Sequence, residues 1–346
     1  MTLQETLALV RPHLLNLQPY SSARDEFDQS QVEQGKFVYL DANENPFNTG
    51  HNRYPDPHQR ELKKRISAIK GVNAGQIFLG NGSDEAIDLV IRLFCGNEDN
   101  ILIPAPTYGM YKVSAEINNV KIKAAALTED FALPLSFLSN ADERTRVIFL
   151  CSPNNPSGNR VDVMPVLKDF QGIVVVDEAY IDFTSGKSLL TELDHFPNLI
   201  VLQTFSKAWG LAGLRLGMAF AQPEIISLLN RIKPPYNISS STQTLALEAI
   251  QKREQTTEWV ELIIAERQRV AEELSKLSSV KKVFPSDANF LLVRMDRAAD
   301  VYNKLIADHI VVRDRSQVKR CEDCLRITIG TKNENDHLLN ALKIIQ

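Results

Sequence analysis

Lys207 stands in the run from Gln203 to Arg215, with Thr204 and Ser206 just before it and Arg215 eight residues after it. The apolar stretch Leu199–Leu202 reads as a buried strand, and the lysine falls just past its C-terminal end. An amine in that position can condense with an aldehyde. Hydroxyls at Thr204 and Ser206, with the guanidinium of Arg215, suit a phosphate on the same molecule. Together they point to pyridoxal 5'-phosphate as the cofactor.

Three further segments supply the remaining parts. Ile77–Leu79 leads into Gly80, Asn81, Gly82, Ser83, Asp84 and Glu85 before a helical run from Ala86 to Phe94. A glycine turn that opens a helix offers free N–H groups and a favourable dipole to an anion. Ser83 reads as the N-cap of that helix. Val147–Cys151 leads into Asn155-Pro156-Ser157-Gly158, and Ile173–Val176 ends in Asp177-Glu178-Ala179-Tyr180. A carboxylate at Asp177 would face the pyridine nitrogen and keep it protonated, so that the ring withdraws electrons. Asn155 and Tyr180 would reach the ring's phenolic oxygen, and Tyr108 would stack on its face. Each residue alone has an ordinary explanation: Asp84 and Glu85 as first-turn acids, Asp177 as a strand-end residue. Gly80-x-Gly82 is not a dinucleotide fingerprint, because Glu85 occupies the place of the third glycine. Their joint order carries the reading.

These side chains need a sheet to present them. Strand and helix signals alternate from about Ile77 to Ala221, as in a mainly parallel α/β sheet covered by helices, where ligands bind beyond the strands' carboxyl ends. Thr242 to Leu277 reads as a long helical bridge. From Val280 to Gln346 the pattern is α+β: strands at Asn289–Val293, near Val311 and at Leu325–Ile329, a helix over Ala298–Ala307, and a last helix. A chain of 346 residues has room for two domains. The expected division is a large domain over 46–265 and a small one built from 1–45 and 266–346. Leu3, Leu7, Val10 and Leu14 recur at helical spacing in the first segment. Arg326 lies in a strand, where a guanidinium needs a partner, and its planar fork fits a carboxylate or phosphate. Arg313 is a second cation for that role. The plain alternative is a surface salt bridge to Asp314 or Glu322.

Composition narrows the class. A net charge of −4 with no long basic run gives no footing for nucleic acid. The N-terminus lacks the basic lead and continuous apolar core of a signal peptide, and no stretch is long enough to span a membrane. The expected location is the cytoplasm. Four cysteines are too few for a disulfide framework in a chain of this length. Cys321 and Cys324 have no second pair to complete a zinc site, so they read as a reduced turn before a strand, and no metal is expected.

The chain resembles the fold-type I PLP-dependent aminotransferases. The broad motifs are Asn155 to Gly158, Asp177 to Tyr180, and Ser206-Lys207 with Arg215. Leu17 to Tyr20, Leu40 to Pro46, Arg53-Tyr54-Pro55, Lys233 to Asn237, Val312-Arg313-Asp314 and Leu325 to Gly330 are similar to the branch acting on histidinol phosphate. Ser157 departs from the threonine commoner in its turn, a conservative change. The resemblance implies catalysis by Lys207, Asp177 and Tyr180, and cofactor binding by Gly82, Ser83, Asp84, Tyr108, Asn155, Thr204, Ser206, Arg215 and a Tyr54 reaching across a homodimer. It implies a substrate site made by Tyr20, Asn43, Asn155, Arg313 and Arg326, the arginines serving both a phosphate and the carboxylate of glutamate. The implied reaction runs between L-glutamate and imidazole acetol phosphate, giving L-histidinol phosphate and 2-oxoglutarate through pyridoxamine phosphate. Aromatic amino-acid transamination, a phosphothreonine decarboxylase-like activity and a non-enzymatic PLP-binding protein are the alternatives.

Overall fold

The computed structural model describes residues 1–18, 20 and 38–345. Its larger sheet has seven strands: β1 (Ile77–Asn81), β2 (Asn100–Ala105), β3 (Lys121–Ala126), β4 (Thr145–Cys151), β5 (Ile173–Asp177), β6 (Leu199–Thr204) and β7 (Leu216–Phe220). Their spatial order is β1-β7-β6-β5-β4-β2-β3. Only β7 runs against its neighbours, pairing antiparallel with β1 and β6; the pairs among β2 to β6 are parallel.

A parallel sheet of this kind is buried on both faces, which explains its unbroken apolar runs. Val174 and Val176 of β5 enter one hydrophobic cluster, while Ile173 and Val175 enter the other. All four are fully buried, each contributing roughly 1.5–3 kcal/mol relative to exposure.

The helices, in chain order, are α1 (Leu3–Leu7), α2 (Pro12–Leu15), α3 (Arg60–Lys70), α4 (Ser83–Phe94), α5 (Met110–Ile117), α6 (Met164–Asp169), α7 (Pro223–Ile232), α8 (Ser240–Gln251), α9 (Arg253–Leu274), α10 (Ala298–Ala307) and α11 (Lys332–Ile345). The periodic run at the N-terminus is two short helices, because Pro12 cannot continue the first and begins the second. Val10 is buried in the cluster shared with α4 and α7, Arg11 N donates to Leu93 O at 3.0 Å, and Arg231 donates to Leu15 O at 2.9 Å. These first residues lie on the larger unit, whereas the sequence had grouped 1–45 with the smaller one; residues 19 and 21–37 of that segment lie outside the described residues.

The smaller sheet, of β8 (Val280–Val283), β9 (Phe290–Met295), β10 (Arg313–Asp314) and β11 (Cys324–Thr328), is antiparallel in the order β10-β11-β9-β8. β8 escaped the sequence reading because Val280-Lys281-Lys282-Val283 has no period-two alternation. The long helical region breaks at Lys252 into α8 and α9. Helix α9 then joins the two units, burying Val260 in the larger core and Val270 and Leu274 in the smaller. Alternation along β11 decides the placement of Arg326. Leu325 and Ile327 enter the smaller core, so Arg326 projects from the other face, towards the larger sheet.

Candidate active site

Strands β1, β4, β5 and β6 are all parallel, so their C-terminal ends open on one edge of the larger sheet. A cavity of about 730 Å³ lies there, closed on its far side by the smaller sheet. Its walls include Gly82, Ser83, Asp84, Tyr108, Asn155, Asp177, Tyr180, Thr204, Ser206, Lys207 and Arg215 from the larger unit, with Arg313 and Arg326 opposite.

At one end, α4 begins without a side-chain cap. Gly82 holds the N-cap position at φ +75°, and Ser83 is the first helical residue. The expected serine cap is therefore a glycine one, and the first N–H groups of the helix are left to an external acceptor. Close approach explains the glycines: a Cβ on Gly82 would lie 2.6 Å from Arg215 Nη2, and one on Gly217 of β7 would lie 2.1 Å from Ser83 N. Arg215 sits within 3.5 Å of the Ser206 hydroxyl and of Asp84. Thr204 is spent on the turn, its hydroxyl accepting from Ser206 N at 3.0 Å. An uncapped helix start, a guanidinium and a hydroxyl converge here, as a phosphate dianion requires.

At the cavity floor Asp177 is buried, with Tyr111 donating to Oδ2 at 2.8 Å and Ala179 N to Oδ1 at 3.0 Å. Burial pushes its carboxyl up to about 6, against the pull of those two donors. A cationic ring nitrogen is the partner that would restore the ionised form. Tyr111 itself is fully buried and stacks on Phe149; nothing in its sequence spacing marks it as Asp177's partner. Tyr108 meets Tyr111 edge-on and donates to Asp84 at 3.0 Å.

Lys207 reaches into the space between, its Nζ 5.7 Å from the centre of the Tyr180 ring. Desolvation first, then the nearby Arg326 and Arg215 charges, hold its amine below the ordinary lysine range, while Asp177 and Asp84 oppose them. A lowered pKa leaves more of the amine unprotonated near neutral pH, the form that can act as a nucleophile or base. Asn155 Nδ2 donates to the Tyr180 hydroxyl at 3.3 Å and its Oδ1 accepts from Arg326 Nη1 at 2.6 Å. This chain ties the smaller unit to the larger across the site. Burial raises the Tyr180 hydroxyl. Phosphate cradle, buried acid, polar pair and amine together fit pyridoxal 5'-phosphate.

The other expected residues lie elsewhere. Tyr54 stacks on Tyr236 at 4.4 Å between ring centres and, with Asn43 and Arg53, lines a separate cavity of about 460 Å³. Tyr20 is 72% exposed and is not among the residues lining the Lys207 cavity. Gly217 was missed, although a glycine inside a strand is itself a sign of close backbone approach. Arg315, also on the cavity wall, was not singled out. The four cysteines are free and buried, and among the described residues no helix is long and apolar enough to cross a membrane.

Comparison with known proteins agrees with this geometry. The Parabacteroides distasonis histidinol-phosphate aminotransferase is 56% identical over 340 residues, 97% of each chain. The crystal structure of the histidinol-phosphate aminotransferase from Clostridium acetobutylicum superposes with a TM-score of 0.78 at 27% identity, covering 85% of this chain and 90% of that one. The Sinorhizobium meliloti histidinol-phosphate aminotransferase, solved in complex with pyridoxal-5'-phosphate, shares the fold with a TM-score of 0.76 at 24% identity, over 85% and 83% of the two chains. The family model for aminotransferase class I and II matches residues 31–342, and the chain belongs to that family.

Proposed function

We propose that this chain is a histidinol-phosphate aminotransferase, moving an amino group between L-glutamate and imidazole acetol phosphate to give L-histidinol phosphate and 2-oxoglutarate. The observation that carries it is the cavity's two cationic poles. Arg215 and the start of α4 stand at one end and Arg326 with Arg313 at the other, with Lys207 between them. One pole suits the cofactor's phosphate and the other an anion on the substrate. Against a surface salt bridge at the second pole stand the partners of the nearby carboxylates among the described residues. Asp314 accepts from Ser316 N at 2.8 Å and Glu322 from Arg320 N at 2.9 Å, and neither pairs with Arg313 or Arg326.

The backbone N–H groups at the start of α4, at Gly82, Ser83 and Asp84, would hold the cofactor's phosphate end with the Ser206 hydroxyl and Arg215, Thr204 fixing the turn that presents Ser206; Asp177 would hold its ring nitrogen, Asn155 and Tyr180 its phenolic oxygen, and Tyr108 its face. When bound, pyridoxal 5'-phosphate supplies an aldehyde for amines and a ring that accepts the electrons left by a departing proton. Lys207 would hold its aldehyde end. The Lys207 Nζ is also the base placed to take a proton from the substrate's amine-bearing carbon and to give one back. Asp177 would meet the ring nitrogen and, by its negative charge, keep it protonated. Arg326, positioned by Asn155, orients the substrate's anionic end with Arg313. Tyr54 and Asn43, on the separate cavity, would serve the partner subunit's site in a homodimer, and Tyr20 would approach the substrate. The cytoplasm is the proposed location.

The test adds L-histidinol phosphate, without any oxo acid, to the purified holoenzyme and identifies the cofactor form afterwards. Conversion to pyridoxamine phosphate, with recovery on 2-oxoglutarate, is the expected result, and Lys207→Ala should abolish it in a folded protein. Release of carbon dioxide would move the reading to decarboxylation. A response to phenylalanine or tyrosine alone would move it to aromatic transamination.

A further inference from the structure

The second cationic pole contains one arginine more than a carboxylate needs. In the β10–β11 pair Arg313 stands directly opposite Arg326. Arg315 N donates to Cys324 O at 2.9 Å, which extends the ladder and keeps Arg315 on the same side as Arg313, two residues away. All three line the cavity that holds Lys207. Like charges facing each other across an antiparallel pair oppose folding, and a third beside them adds to it. The surroundings relieve this only in part, through Asn155 Oδ1, which accepts from Arg326, and the Phe290 ring beside its guanidinium. Burial holds the Arg315 and Arg326 guanidiniums below their ordinary range; the charges of Arg326 and Arg313 add to this at Arg315, and that of Arg313 at Arg326. No carboxylate is paired with either among the described residues. The Nε atoms of both are buried without a hydrogen-bond partner. Donors left unpaired in a desolvated site are costly unless a ligand completes them.

We propose that Arg315 is a specificity-determining residue: a third guanidinium that makes the cavity favour amines carrying a phosphate monoester over those carrying a carboxylate. A carboxylate brings a single negative charge, which Arg326 and Arg313 already answer. A phosphate monoester brings about 1.5 to 2 charges at pH 7 and three acceptor oxygens, enough to engage a third fork. Arg315 therefore counts for little when glutamate binds and for much when the phosphate substrate does. This rests on the proposed aminotransferase reading and names the group that sets its substrate preference.

Half-reaction kinetics of the holoenzyme test it, with L-histidinol phosphate, L-glutamate and L-phenylalanine as separate amine donors, for the wild type, Arg315→Gln and Arg315→Lys. Loss of one charge-assisted contact corresponds to roughly a tenfold to hundredfold loss of kcat/KM. Arg315→Gln should lose that much for L-histidinol phosphate, through KM, while glutamate and phenylalanine change by less than about threefold. Arg315→Lys, which keeps the charge, should retain most of the preference. Inorganic phosphate should inhibit the glutamate half-reaction of the wild type and inhibit Arg315→Gln at least about tenfold more weakly. Equal losses for all three donors, or an unchanged ratio, would overturn the proposal. If the wild type ignores L-histidinol phosphate yet its inhibition by phosphate still depends on Arg315, the anion preference stands and the reaction assigned above fails instead.

Discussion

Replacing Asp177 with asparagine should change the stability of the empty and the loaded protein in opposite directions. The carboxylate is wholly enclosed, and burial lifts its pKa from an ordinary 3.8 to about 6. At about 1.36 kcal/mol per pH unit, that is about 3 kcal/mol against the ionised form. The sign follows from proton counting. Between about 4 and 6 the folded empty protein holds a proton that the unfolded chain has released, so its stability falls as pH rises through that window and stays lowered above it. Asparagine has the same shape, can accept from Ala179 N and can meet the Tyr111 hydroxyl, but carries no charge to bury. At pH 8 the cofactor-free Asp177→Asn protein should therefore be more stable than the wild type by up to about 3 kcal/mol, and the difference should shrink as pH falls through about 6. With cofactor the order should reverse, because only the carboxylate gains a cationic partner. A ligand at a thousandfold excess over its Kd stabilises by about 4 kcal/mol, and the variant should lose most of that gain along with its turnover. Denaturation midpoints at pH 5 and pH 8, with and without pyridoxal 5'-phosphate, make the comparison. A cofactor-free variant no more stable than the wild type at pH 8, or an equal gain from cofactor in both, would refute the reasoning.

Two further predictions come from the backbone and from a buried base. Gly217→Ala would drive a methyl group against Ser83 N and the Gly82 carbonyl carbon, within 2.2 Å of both; with the phosphate cradle displaced, turnover should fall on the order of a hundredfold while circular dichroism stays native, and unchanged kinetics would show that the close approach is not needed. Lys63 is buried beside Lys233 and its amine is pushed down to about 8, so the charged form is penalised at neutral pH and relieved as pH climbs from about 8 towards 10.5. Lys63→Met should accordingly stabilise the fold by roughly 1–3 kcal/mol at pH 7, with a smaller gain at pH 9.5; a gain independent of pH would mean that the charge is not the cause.

Strand ends were the most legible part of the chain. Apolar runs at Ile77, Val147, Ile173 and Leu199 mark β1, β4, β5 and β6, because strands buried on both faces have to be apolar throughout. The polar residues following each run lie at one sheet edge, since parallel strands all end on the same side. Ends and interruptions of helices were less legible. Pro12 breaks the N-terminal run, and Gly82 caps α4 in place of Ser83 because the backbone there must pass within contact distance of Arg215 and β7.

Residue types and spacing by themselves determined the chemistry available here: an amine past a strand, hydroxyls and a guanidinium for a phosphate, and an acid for a ring nitrogen. They did so because that chemistry depends on which groups follow which strands, and chain order records this directly. Tertiary structure alone decided what those groups experience. Tyr111 bonds Asp177 across 66 residues, Asn155 bonds Arg326 across 171, and the register of β10 on β11 sets Arg313 against Arg326 with Arg315 beside them. Burial, pairing and field are properties of distances between segments remote in sequence, and those distances exist only once both sheets have folded and met.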